Sequence, residues 1–275
     1  MREISVEVIS DAIEKLCKDV CIQLNEKTVQ LLENALNTEK TEFGKANLEI
    51  AIENSRVARE NNMPICQDTG MVVVFAEIGQ DVHIVGGLFE DAVNEGVRRA
   101  YKDFRKSVLT PIDRVNTKDN TPAVVHVSLC KGDKIALTVA PKGFGSENMS
   151  ALKMLKPSDS IEGIKNFVIE TVKNAGANPC PPVVVGVGIG GTMEKAAIMA
   201  KHAVAVSVPA KDEAIAKLEE ELLEKINRLG IGPQGMGGVN TALAVYVETY
   251  PTHIAGLPVA VNIQCHCARH GEVVL

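Results

Sequence analysis

The chain has 275 residues, 45% of them hydrophobic and 23% charged, with a formal net charge of −6. That balance is globular and excludes a disordered or fibrous chain, and its mild acidity offers no basic face for nucleic acid. No apolar run approaches the roughly 20 residues of a membrane helix, and the charged start, MREISVEVISDAIEKL, lacks a signal peptide's apolar stretch.

Through residue 62 the periodicity is helical. Ile9, Ile13, Leu16 and Val20 recur at spacings of three and four, as do Leu31, Leu32, Ala35 and Leu36, then Leu48, Ala51, Ile52 and Ser55. Cys17 and Cys21 lie on the first stripe and read as core fillers rather than metal ligands. From Gly70 the texture changes. Met71–Ile78, Val82–Gly86, Ala123–Leu129 and Lys134–Val139 are short β-branched runs bounded by Gly, Asp and Pro, which predicts strands. Phe89–Lys106 and Ser158–Ala175 carry helical spacing. An apolar run at Val183–Val187 precedes a helix from about Thr192 to Lys201 and a second run, Ala203–Val208. Lys211–Leu229 is a helix with a stripe at Ile215, Leu218, Leu222 and Ile226, and Ala242–Val247 and Val259–Ile263 are the closing strands. No repeat or linker interrupts the pattern. The prediction is one mixed α/β domain over 1–275, with a helical N-terminal part (1–62) and a mixed sheet with flanking helices (63–275).

Seven cysteines, an odd count in a chain predicted to be cytoplasmic, argue against a disulfide framework. Three lie in unusual settings. Cys66 opens Cys66-Gln67-Asp68-Thr69-Gly70, where a thiol, an amide, a carboxylate and a hydroxyl precede a glycine; the alternative is a polar turn ending in Gly. Cys180 stands between Pro179 and the pair Pro181-Pro182, which restrict the backbone on both sides and remove donors. Cys265-His266-Cys267-Ala268-Arg269-His270 packs two thiols, two imidazoles and a guanidinium into six residues. Cys265 and Cys267 would face opposite ways along a strand, and a zinc site from Cys265, Cys267, His266 and His270 fits no common spacing. Gly186-Val187-Gly188-Ile189-Gly190-Gly191 formally satisfies the dinucleotide fingerprint, with Asp212 as the ribose acid; the alternative is a tight strand-to-helix turn. Lys142–Asn148, KGFGSEN, is a second glycine-rich loop.

Together these segments resemble the iron–sulfur (class I) fumarate hydratases, in the α-subunit form of two-subunit fumarases and L-tartrate dehydratases. The resemblance runs in matching order over nearly the whole chain: CQDTG at 66–70, EGV at 95–97, KGFGSEN at 142–148, NPCPP at 178–182, IGGT at 189–192 and QCHCARH at 264–270. It implies cluster-binding loops at one end of the fold and a [4Fe–4S] cluster held by Cys66, Cys180 and Cys265, with one iron not ligated by cysteine. It further implies that Gln67, Asp68, Arg105 and Gly145 contact a small dicarboxylate, and that Asp68 and His253 are catalytic. The implied reaction is reversible hydration of fumarate to L-malate in the tricarboxylic acid cycle, or alternatively dehydration of L-tartrate. One-chain relatives carry a further C-terminal domain with the proposed base, so a separate β subunit in an α2β2 hetero-oligomer is expected, with no nucleic-acid or membrane partner.

Overall fold

Ser5 accepts a hydrogen bond from the Val8 amide and caps the first helix, satisfying an amide that has no partner within the helix. In the computed structural model, which describes residues 1–275, the elements run β1 (Arg2–Ser5), α1 (Val6–Ile22), α2 (Glu26–Thr38), α3 (Glu42–Glu60), β2 (Met71–Gly79), β3 (Val82–Val85) and α4 (Phe89–Ala100). Next come β4 (Val124–Cys130), β5 (Ile135–Lys142), the short α5 (Phe144–Glu147), β6 (Ala151–Leu155), α6 (Ser160–Ala175) and β7 (Val183–Gly190). The chain closes with α7 (Met193–Val206), α8 (Glu213–Asn227), β8 (Ala242–Tyr250), β9 (Leu257–Gln264) and β10 (Gly271–Val274). No helix is long and apolar enough to cross a membrane.

The elements form two units, each assembled from distant parts of the chain. The first comprises Met1–Asn25, Ser55–Phe144 and Arg269–Leu275. Its main sheet has the order β10-β5-β2-β4, with β5 antiparallel to both neighbours and β4 parallel to β2. Ile9, Ile13 and Cys17 of α1 and Val93 and Val97 of α4 bury themselves with Val72, Val74, Leu137 and Val139 of the sheet. Gly96 lets the two helices meet, since a Cβ there would lie 2.6 Å from the Ser10 carbonyl oxygen.

The second unit comprises Glu26–Asn54 and Gly145–Ala268. Its sheet has the order β6-β9-β7-β8, with β9 antiparallel to β6 and β7, and β8 parallel to β7. Val168 and Val172 of α6 and Leu218, Leu222 and Ile226 of α8 pack with Val185, Val187, Val245, Val261 and Ile263. Ala196 and Ala200 of α7 pack with Ala260 of β9.

Several expectations change. The helix predicted over Phe89–Lys106 ends at Ala100, so Arg105 lies beyond it in irregular backbone. The run Ala203–Val208 is no separate element; α7 continues through Val206 and stops where Ser207 turns left-handed, φ 53°. Three strands carry no local signal strong enough to predict them. β1 pairs with β3, β6 with β9 and β10 with β5, so distant partners define them.

Candidate active-site loops

In the first unit the segment Cys66–Gly70 lies between α3 and β2, and buried polar side chains hold it from several directions. The Tyr101 hydroxyl donates to the Thr69 carbonyl at 2.7 Å, and the Thr69 hydroxyl donates to the Arg105 carbonyl at 2.6 Å. Asn120, fully buried, donates from Nδ2 to the Gly70 carbonyl at 3.1 Å and accepts from the Ser107 amide at 2.8 Å. Burial pushes the Tyr101 hydroxyl well above its ordinary pKa, and the Cys21 thiol beside it is raised by the same cause. Both stay protonated, which keeps Tyr101 a donor. Arg105, off its predicted helix, is thereby fastened directly to the Cys66 loop.

Asp68 organises the same loop. Its Oδ1 accepts from the Gly70 amide and its Oδ2 from the Phe144 amide, each at 2.9 Å, while its carbonyl accepts from the Arg269 guanidinium at 2.8 Å. Both carboxylate oxygens therefore serve backbone donors. Gly143 follows from this, because a Cβ there would come within 3.2 Å of Asp68 Oδ2. Arg269 is almost fully buried, and His270 meets the Asn25 side chain at 2.9 Å. The arginine and histidine of the C-terminal hexapeptide thus belong to the first unit, and its cysteines to the second.

In the second unit Cys180 precedes β7 and Cys265 follows β9. The two strands are antiparallel, with Val184 opposite Gln264, so both thiols lie at the same end of the sheet. His266 joins the loops: its amide lies 3.4 Å and its Nδ1 3.0 Å from the Cys180 carbonyl. Cys180 is exposed with φ 55°, a left-handed conformation that costs a side-chain-bearing residue roughly 1–2 kcal/mol. Gly145, in α5, approaches the same loop, its Cβ direction 3.5 Å from the Asn178 carbonyl. Cys267 is buried.

His253 does not join them. It precedes β9 whereas Cys265 follows it, and eight strand residues separate the two by about 26 Å. Its Nδ1 accepts from the Ala255 amide at 3.2 Å within an exposed turn. That turn lies at the opposite end of β9 from Cys265. The glycine fingerprint also has a different physical origin. A Cβ on Gly186 or Gly188 would lie 2.2 or 2.1 Å from the carbonyl oxygens of Ala200 and Ala196, so these glycines let α7 rest on β7. Asp212 caps α8, accepting from the amides of Ala214 and Ile215.

The donor set suits iron and sulfur. Cys66, Cys180 and Cys265 form no disulfide and are loop-borne thiols, exposed or half-buried, in contrast to the sealed Cys17, Cys21 and Cys267; thiolates are the usual ligands of such clusters. Cys66 belongs to one unit and Cys180 and Cys265 to the other, and neither unit alone gathers three His, Cys, Asp or Glu side chains around a point. Tyr101, Asn120 and Gln234, whose side-chain amide donates to the Pro181 carbonyl at 3.1 Å, carry much of the loops' geometry. None has a motif that marks it in the sequence.

A family model described as Fumarate hydratase (Fumerase) matches residues 10–274. The chain belongs to this family. A Methanocaldococcus jannaschii protein provisionally named L(+)-tartrate dehydratase subunit alpha is 45% identical over 272 residues, covering 95% of each chain. L(+)-tartrate dehydratase subunit alpha of Escherichia coli O157:H7 is 30% identical over 280 residues, 98% of this chain and 92% of that one. The same-named subunit of Shigella sonnei gives equal figures. Within the fumarate hydratase family, then, this chain resembles proteins of its own length that are named as one subunit of an enzyme.

Proposed function

We propose that the chain is the α subunit of a [4Fe–4S] hydro-lyase that interconverts fumarate and L-malate by reversible hydration. The observation that carries the reading is the joining of the Cys180 and Cys265 loops through His266, on a chain of the fumarate hydratase family. Cys66, Cys180 and Cys265 would hold the cluster. When bound, it supplies a Lewis-acidic iron, free of cysteine, that makes hydroxide a tolerable leaving group. The chain's own residues do the rest of the binding. Arg105 takes a substrate carboxylate, held beside the Cys66 loop through Thr69. Gln67 follows Cys66 directly and contacts substrate, and Gly145 offers its backbone amide. Asp68, beside Gln67, contacts substrate and takes part in catalysis while its oxygens on the Gly70 and Phe144 amides keep the loop in shape, and the general base comes from the β subunit. The reading includes a cytoplasmic α2β2 assembly serving the tricarboxylic acid cycle.

The names of the relatives favour a second substrate, L-tartrate. Malate and tartrate share a hydroxyl and a hydrogen on adjacent carbons between two carboxylates, so the same residues serve either. The test is anaerobic reconstitution with the cognate β subunit, followed by kcat/KM for fumarate formation from L-malate and oxaloacetate formation from L-tartrate. A higher value on malate supports the primary reading, the reverse order assigns the chain to tartrate, and no turnover of either by a cluster-loaded complex defeats both. The cluster-loaded chain without its β subunit is expected to be inactive.

A further inference from the structure

We propose that Gln234 is a positioning residue that locks the Cys180 loop to His266; the inference rests on the reading of Cys180 and Cys265 as cluster ligands. Gln234 lies between α8 and β8 in a loop where Gly230, Gly232, Gly235, Gly237 and Gly238 all have positive φ. Gln234 has φ 55° itself. A glutamine keeps this conformation at a cost that glycine escapes, and its side chain has a specific use here.

The side chain reaches both cysteine loops. Its Nε2 donates to the Pro181 carbonyl at 3.1 Å, which the Gln234 amide also reaches at 2.7 Å. The same Nε2 lies 3.3 Å from His266 Nδ1. Pro181 follows Cys180 and His266 follows Cys265, so one primary amide touches the immediate neighbour of each thiol. An amide nitrogen carries two hydrogens, enough for both contacts; His266 Nδ1 then accepts, and the Cys180 carbonyl is held by the His266 backbone amide at 3.4 Å. The prolines around Cys180 have no N–H with which to anchor themselves; within the loop the Cys180 amide donates to the Ala177 carbonyl at 3.1 Å, and Gln234 adds an anchor from outside it.

The Gln234 loop is itself braced. A Cβ on Gly235 would lie 2.3 Å from that of Ala177, so the loop rests on the approach to Cys180. The buried Glu39 carboxylate accepts from the amides of Val239 and Asn240 and from the Asn240 side chain. The Gly232 amide donates to the Thr241 hydroxyl at 3.2 Å. A donor on a rigid arm orients what it touches, and groups that orient ligands govern how firmly a site keeps its metal.

The test compares Gln234→Gly, which relieves the backbone while deleting the amide, with Gln234→Glu, which keeps the shape but turns an oxygen toward the Pro181 carbonyl. Hydrogen exchange on the cluster-free full chain reads the lock directly. In both variants the amides of Cys180 and His266 are expected to exchange about tenfold faster, with amides of the α8 core unchanged. In the reconstituted complex, conversion of [4Fe–4S] to [3Fe–4S] in air, followed by EPR, is expected to quicken about tenfold. Wild-type exchange at Cys180 and His266 in both variants overturns the proposal, and so does a Glu variant that behaves as wild type in both assays. A wild-type complex that takes up no cluster defeats the functional reading, and the exchange measurement then decides the lock alone.

Discussion

The two units hold their loop cysteines by different means. The Cys66 loop is fixed by side chains: Tyr101, Asn120, Asp68 and Arg269 each supply or accept a hydrogen bond to it, mostly out of contact with water. The Cys180 loop is fixed by backbone: prolines on both sides, a left-handed φ, and a neighbouring loop of glycines that presses close. Buried side-chain bonds give a well-defined geometry whose failure is local, because removing one partner strands one or two polar groups. A restricted backbone gives direction with few side-chain donors, chiefly the Gln234 amide, and it depends on the loop that braces it. Perturbing each device separately should therefore have separable consequences.

The largest effect belongs to the thiols, where the two devices meet the same requirement. Replacing Cys66, Cys180 or Cys265 by Ser is expected to abolish the cluster, read as loss of its visible absorption and of bound iron. Cys267→Ser should retain it, since that thiol is buried in the second unit. If Cys267→Ser loses the cluster while Cys265→Ser keeps it, the ligand assignment is reversed.

Next in size is Glu39, the foundation of the backbone device. It is 3% exposed, and hydrogen bonds from Thr41, Asn240, Lys40 and Val239 outweigh its burial and hold its carboxyl at about 2. A carboxylate whose pKa is lower folded than unfolded contributes stability that is fully present above the unfolded value and lost as pH falls through the folded one. From an ordinary value near 4.5 down to about 2, that contribution is on the order of 3 kcal/mol. Glu39→Gln should lower the unfolding free energy at pH 7 by about that amount and flatten the acid limb between roughly pH 5 and 2. An unchanged acid limb in the variant would remove Glu39 from this role.

What the sequence made legible follows from range. The stripe Ile9, Ile13 and Cys17 is core in the structure, and the runs predicted from 71, 82, 123, 134, 183, 242 and 259 all overlap strands, reaching at most one residue beyond them, because period and composition act locally. The paired loops at 180 and 265 rest on register between β7 and β9, which no local pattern encodes. His253 shows the same limit in reverse. Twelve residues from Cys265 in sequence, it is carried to the other end of the sheet by the strand between them. Asn120 and Tyr101 were invisible because a buried amide or phenol carries no periodic signal, only partners that the fold brings to it.

The smallest effects test the side-chain device. Tyr101→Phe removes one donor and leaves the Thr69 carbonyl without it, for an expected loss of about 1 kcal/mol. The Cys21 thiol, 3.7 Å from the same carbonyl, limits the damage. Asn120→Asp keeps the acceptor for the Ser107 amide but sets an oxygen against the Gly70 carbonyl, so about 2 kcal/mol is expected. Urea unfolding midpoints read both. The sharper measurement is hydrogen exchange: both variants should quicken exchange at Thr69 and Gly70 and leave Cys180 and His266 as they were. Equal acceleration at all four amides would mean that the two devices are one, and the contrast drawn between the units would fall. Protection lost at Thr69 and Gly70 alone would show that each unit holds its own cysteine loop independently.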